Sequence, residues 1–153
     1  MKRIFCDHSR SRFYLVLLLI LAGSGLFGQT WLTDLGKAEQ EATSRNCHII
    51  LVFQGSDWCA PCIKLNQEIW QSEEFKAYAS EHAVLLKADF PRKAKNQLPP
   101  DQLKKNERLA EKYNKQGFFP LVVVLDNEGN VLGTTGYKKT TPEAYIATLE
   151  AFK

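Results

Sequence analysis

The chain predicts an α/β fold with a central mixed β-sheet and helices on both faces. Three observations lead there. Segments whose apolar residues recur every three or four positions alternate with short continuous apolar runs, the pattern of helices laid over a buried sheet. The last two apolar segments, 121–125 and 131–137, are joined by the turn cluster Asp126-Asn127-Glu128-Gly129-Asn130, which makes them an antiparallel hairpin. The run Ile49-Ile50-Leu51-Val52-Phe53 ends shortly before Cys59-Ala60-Pro61-Cys62, so a strand delivers two cysteines to the start of a helix.

The first residues stand apart from this pattern. Lys2, Arg3, Arg10 and Arg12 form a basic region, Phe13 to Leu21 is unbroken and apolar, and Ala22-Gly23-Ser24-Gly25 follows. This predicts a secretory signal peptide over residues 1–28 and a folded domain over 29–153. Cleavage after Gly28 places Leu26 at −3, where a small residue is usual, so Ser24 and Gly25 are alternative sites. An uncleaved anchor is the competing reading, since no charge occurs from Phe13 to Thr33. Either way the domain is expected outside the cytoplasm, periplasmic or secreted.

The 153 residues carry a formal charge of +3, but residues 1–28 hold four of the 20 basic and one of the 17 acidic residues. Residues 29–153 therefore hold 16 of each and are formally neutral, which gives no support to a nucleic-acid partner. Cys6 leaves with the signal, and Cys47, Cys59 and Cys62 remain: one pair and one left over in an oxidising compartment.

Within 29–153, Leu32, Leu35, Ala38 and Ala42 predict a helix from Trp31 to Arg45, capped by Thr33 or Asp34 and ended by Asn46. Cys47 to Gln54 is a strand apolar enough to lie in the centre of the sheet. A helix follows from Cys59 to about Tyr78, with a break or second start at Gln71-Ser72-Glu73-Glu74. Ala83 to Phe90 is the next strand. Pro91 to Pro100, with Arg92, Lys93 and Lys95, reads as a basic surface loop, and a solvated insertion is favoured over a functional one. Asp101 to Gln116 is helical and is interrupted by Gly117-Phe118-Phe119-Pro120. After the hairpin, Thr141 caps a last helix that starts with Pro142 and runs to about Phe152.

Two cysteines separated by two residues at a helix start suit redox chemistry. Unpaired backbone N–H groups and the helix dipole favour a negative charge on the first sulfur, and so a thiolate near neutral pH. Pro61 lies in the first turn, where its missing N–H is not needed. Distance argues against a zinc site built from Cys47, His48, Cys59 and Cys62. Seven strand residues span roughly 20 Å, whereas zinc ligands lie about 2 Å from one ion. Cys47 instead reads as a small buried hydrophobe.

Trp58-Cys59-Ala60-Pro61-Cys62 resembles the thioredoxin motif Trp-Cys-Gly-Pro-Cys, with alanine for glycine. The order of elements over Trp31–Lys153 is similar to the thioredoxin fold. The resemblance implies a thiol–disulfide oxidoreductase acting on cysteines of envelope proteins, with Cys59 as the more exposed nucleophile and Cys62 as the resolving thiol. It implies Trp58, Phe119 and Pro120 as substrate-binding residues, with Pro120 in the place of the family's cis-proline and the backbone of Phe119 pairing with an extended substrate. The proline before the second cysteine resembles reducing members, so a reductase fed by a membrane-embedded electron donor is expected. It would act as a monomer, without a metal or organic cofactor. Two departures stand out. Phe53 occupies the position of the family's buried acid, which leaves water or another side chain to take the proton of Cys62; Asp57 is near, but is expected to be exposed. Gly117 precedes Pro120 by three residues, where many members have glycine two before. The competing reading is a binding or chaperone module with permanently paired cysteines.

Overall fold

The computed structural model describes residues 29–152, so the predicted signal peptide lies outside the described residues. The sheet is built on β2 (His48–Gln54), whose five inner residues are all buried. Alternation along the strand sends Ile50 and Val52 to one face and Ile49, Leu51 and Phe53 to the other. On one side β3 (Ala83–Asp89) runs parallel to β2 over its whole length, from His48 opposite Ala83 to Gln54 opposite Asp89. On the other side β4 (Leu121–Leu125) runs antiparallel, with Phe53 opposite Leu121. The edges are β1 (Trp31–Leu32), parallel to β3, and β5 (Val131–Thr135), antiparallel to β4, which gives the order β1-β3-β2-β4-β5.

The helices among the described residues are α1 (Leu35–Arg45), α2 (Ala60–Leu65), α3 (Glu73–His82), α4 (Pro100–Tyr113) and α5 (Pro142–Glu150). Ala38 and Ala42 of α1 and Leu109 of α4 pack on the Ile49, Leu51 and Phe53 face. Leu65 of α2, Phe75 and Ala79 of α3, and Tyr145 and Leu149 of α5 pack on the other. Helices therefore cover both faces of a mixed sheet, as predicted.

The redox helix is not a uniform α-helix. After Leu65 it widens into a π turn, Asn66–Trp70, closed by the Gln71 N–H donating to the Asn66 carbonyl at 3.0 Å. The wider turn seats the consecutive residues Ile69 and Trp70 in the core together. Trp70 centres an aromatic cluster, with ring centroids 4.4 Å from Phe75, 5.5 Å from Tyr145 and 5.9 Å from Trp31. Burying a side chain of this size contributes about 1.5–3 kcal/mol. Ser72 then caps α3 by accepting the Phe75 N–H, and Thr141 caps α5, both at the predicted positions.

The structure corrects several boundaries. Trp31 and Leu32 are a strand, not the start of the first helix, because their partners are Leu85 and Leu86 of β3. α1 begins at Leu35, where the Asp34 carboxylate accepts the Lys37 N–H, and ends at Asn46 in the left-handed conformation, φ 50°. α4 stops at Tyr113 rather than Gln116, since Asn114 turns its side chain to Phe118. β3 and β5 end one and two residues early, at Asp89 and Thr135, and α5 stops at Glu150 rather than Phe152.

Candidate redox site

Because β3 is parallel and β4 antiparallel to β2, the ends of β2 and β3 and the beginning of β4 meet at one end of the sheet. Three segments leave from there: the motif after β2, the loop after β3, and the turn before β4.

The motif segment is fastened at once. The Cys59 N–H donates to the Gly55 carbonyl at 3.0 Å, and Cys59 is the N-cap of α2, with its Sγ accepting the Cys62 N–H at 3.3 Å. Cys59 and Cys62 are joined as a disulfide. Cys59 was expected to be the more exposed of the two; in the disulfide their exposures are nearly equal, 4% and 3%. Both sulfurs are covered in the oxidised state. Pro61 sits in the first turn of α2, as read.

Trp58 is half-buried and held on three sides. Its Nε1–H donates to the Phe90 carbonyl at 2.7 Å, its ring lies 5.5 Å from that of Phe119, and the Arg92 guanidinium carbon stands 3.7 Å from its ring centroid. Gly55 makes this seat possible: a Cβ there would clash with the Trp58 indole. The Phe119–Pro120 peptide is cis, matching the place assigned to Pro120. Phe119 also packs on Phe90, at 5.6 Å between centroids. Beside it, Pro61, Phe118, Phe119, Pro120, Leu121 and Tyr137 line an open groove, and Phe118 is 56% exposed.

Sequence reasoning missed the residues that hold these walls. Asn114 is buried and clamps the turn before Pro120: its Nδ2 donates to the Phe118 carbonyl and its Oδ1 accepts the Phe118 N–H. Gly117, at φ 69°, supplies the left-handed residue inside that clamp. Asp89 ties β3 to the motif by accepting the Ser56 N–H at 2.9 Å and the Ser56 hydroxyl at 2.7 Å. Signals existed in the Asn114–Gly117 turn composition and in a glycine directly after β2, but neither names its partner.

The 91–100 segment is solvent-exposed, as expected of a solvated insertion, but its first half is anchored. The Asp57 carboxylate accepts the N–H groups of Arg92 (2.9 Å) and Lys93 (3.0 Å) and the Nδ2 of Asn96 (2.9 Å). The Arg92 N–H first, then Asn96 and Lys93, hold the Asp57 carboxyl below the usual carboxylate range. Asp57 is thus a poorer proton acceptor than an ordinary aspartate, and its carboxylate, though near the surface as expected, is engaged by the loop. Phe53, in the place of the family's acid, is fully buried among apolar side chains. Cys47 is half-buried, and burial pushes its thiol pKa up, which suits a packing residue.

Comparison with known proteins agrees with this geometry. Residues 30–127 match the family model described as Thioredoxin-like. The "Disulfide bond reductase DsbH" of Chlamydia pneumoniae is 40% identical over 103 residues, covering 67% of this chain. The match spans only 60% of that relative's length. A solved structure titled "DsbH Oxidoreductase" superposes with a TM-score of 0.75 at 34% identity, covering 82% of this chain and 84% of that one. A thioredoxin from Thermus thermophilus, with a TM-score of 0.58 at 14% identity over 79% of this chain and 84% of that one, shares the fold.

Proposed function

The chain belongs to the thioredoxin-like family, and on that premise we propose that it is a thiol–disulfide oxidoreductase that reduces disulfides in client proteins through Cys59 and Cys62. The observation that carries this is the seat of Cys59, at the N-cap of α2 with its sulfur accepting the Cys62 N–H. The same donor and the helix dipole stabilise a thiolate when the pair is reduced. The similarity to a protein named disulfide bond reductase supports the reducing direction.

In the forward reaction the Cys59 thiolate attacks one sulfur of a client disulfide. A Cys59–client mixed disulfide forms and one client thiolate leaves. The Cys62 thiol then loses its proton and attacks Cys59 Sγ; the second client thiolate leaves and Cys59–Cys62 is oxidised. Two electrons pass to the client, and an external dithiol donor must return them. With Phe53 where the family has an acid, and Asp57 engaged by the loop, water is the proposed acceptor of the Cys62 proton. The groove beside Pro61 and Phe118 supports docking of an extended client across the backbone of Phe119, with Trp58 as the facing wall.

The site of action is proposed to be the cell envelope, on the strength of the basic and apolar residues 1–28. Among the described residues no helix is long and apolar enough to cross a membrane. A membrane-embedded dithiol is the proposed donor, and the working unit is proposed to be a monomer.

Cys62→Ser tests the reading. It should accumulate mixed disulfides with clients that dithiothreitol releases. No such species, together with a Cys59–Cys62 pair that does not equilibrate with glutathione, would favour a binding module. A reduction potential near about −270 mV agrees with a reductase, whereas one near about −120 mV reverses the direction.

A further inference from the structure

The loop after β3 carries Arg92, Lys93 and Lys95, and the fold fixes its first half against the redox motif. The Phe90 N–H donates to the Gln54 carbonyl, Trp58 Nε1 to the Phe90 carbonyl, and the N–H groups of Arg92 and Lys93 to Asp57. A charge run on a solvated surface needs no such fastening. Its result is that the Arg92 guanidinium lies over the face of Trp58, the residue next to Cys59. The two oxygens of Asp57 are taken by backbone N–H groups and by Asn96. Among the described residues no ion pair forms to Arg92, Lys93 or Lys95. A guanidinium seated on an aromatic face keeps N–H donors at its rim, and these match a carboxylate.

Resting on the oxidoreductase reading, we propose that Arg92, held on Trp58, is a specificity-determining residue that receives a carboxylate side chain flanking the reactive cysteine of a client. Lys93 and Lys95 extend the positive field and steer acidic clients to the site. Arg92 and the groove of Phe118 and Phe119 stand on separate segments around the motif. A client therefore meets an apolar wall and a cationic wall at once.

The test uses the reduced protein and three disulfide-bonded peptides that differ only in having Glu, Gln or Lys beside the cysteine. At low salt the Glu peptide should be reduced about three- to fivefold faster than the Gln peptide, the size of a partly exposed ion pair. The Lys peptide should be slowest. The preference should fade near 1 M salt, where the screening length is about 3 Å. Arg92→Gln should remove most of the difference between the Glu and Gln rates, leaving only the share due to Lys93 and Lys95, and Arg92→Glu should invert the order, which unfolding or loosening of the loop cannot do. Equal rates for the three peptides with the wild-type protein, or a preference that survives Arg92→Glu, would overturn the proposal. An uncharged small disulfide separates the two readings. If the wild-type protein reduces it but treats the peptides alike, only the charge recognition falls. If neither it nor any peptide is reduced, exchange itself is absent and both fall.

Discussion

The carboxamide of Asn114 makes two hydrogen bonds to one residue, Phe118, donating to its carbonyl and accepting its N–H, both at 2.9 Å. The pair closes the turn that presents Phe119 and Pro120, so one buried side chain sets the shape of the proposed client edge. Asn114→Ala strands both backbone groups of Phe118. Phe118 is partly exposed, so water recovers some of the loss, and the two stranded groups together cost about 1–3 kcal/mol. Denaturant unfolding should record a loss in that range, and client reduction should weaken mainly through KM. Asn114→Asp keeps the acceptor and should fall between.

Gly55 and Trp58 share one space. Gly55→Ala puts a methyl group where the indole lies, so the ring must leave, and with it the bond to the Phe90 carbonyl and the contact with Arg92. Forced overpacking of this kind costs about 1–3 kcal/mol. Amide exchange should rise over residues 90–96 while β2 and β3 stay protected. An unchanged exchange pattern would mean that Trp58 does not hold the loop.

Asp57 makes the loop acid-sensitive. Its folded pKa is lowered by the Arg92 N–H, with Asn96 and Lys93 adding to this. A depressed carboxylate stabilises the state that depresses it above its unfolded pKa, and that contribution is lost as pH falls through the folded value. Exchange of the Arg92 and Lys93 amides, corrected for intrinsic rates, should therefore accelerate on acidification below the usual carboxylate range. Asp57→Asn should show the faster exchange already at neutral pH and no further change on acidification.

Phe53 offers a test of the missing acid. Phe53→Asp removes a fully buried ring and places a carboxyl among Ala38, Leu51, Leu86 and Leu109. Phe-to-small substitutions in a core cost about 3–5 kcal/mol. Burial raises the folded pKa of the new acid, so the penalty is smaller when it is protonated and grows as pH rises above about 3.9, its unfolded value. Urea midpoints at two pH values measure both effects.

Much of the fold was legible because the strands advertise themselves. Ile49 to Phe53 and Leu121 to Leu125 are apolar without interruption, and each proved buried in the sheet. Asn46, Ser72 and Thr141 were legible as helix punctuation because caps are local. The failures share a different cause. Trp31 and Leu32 fit a helical period, and only pairing with residues more than fifty positions away makes them a strand. The loop after β3 has the composition of solvated chain, yet its anchor, Asp57, lies 35 residues before Arg92. Asn114 looks like an exposed helix end and is buried by its own bonds to Phe118. The near-equal burial of Cys59 and Cys62 belongs to the closed pair, which the motif alone does not describe.

The meeting of three segments at one end of the sheet separates duties that a single loop would have to combine. The disulfide belongs to the segment after β2, the proposed docking edge to the turn before β4, and the proposed cationic contact to the loop after β3. These pieces touch through Trp58 but are encoded far apart. A change confined to the Lys93 and Lys95 side chains leaves the Asp57 bonds and the Trp58 contact that surround the pair in place. In a lineage, choice of partner could drift quickly on a slowly changing engine, and in the laboratory the same loop is the place to graft a new preference.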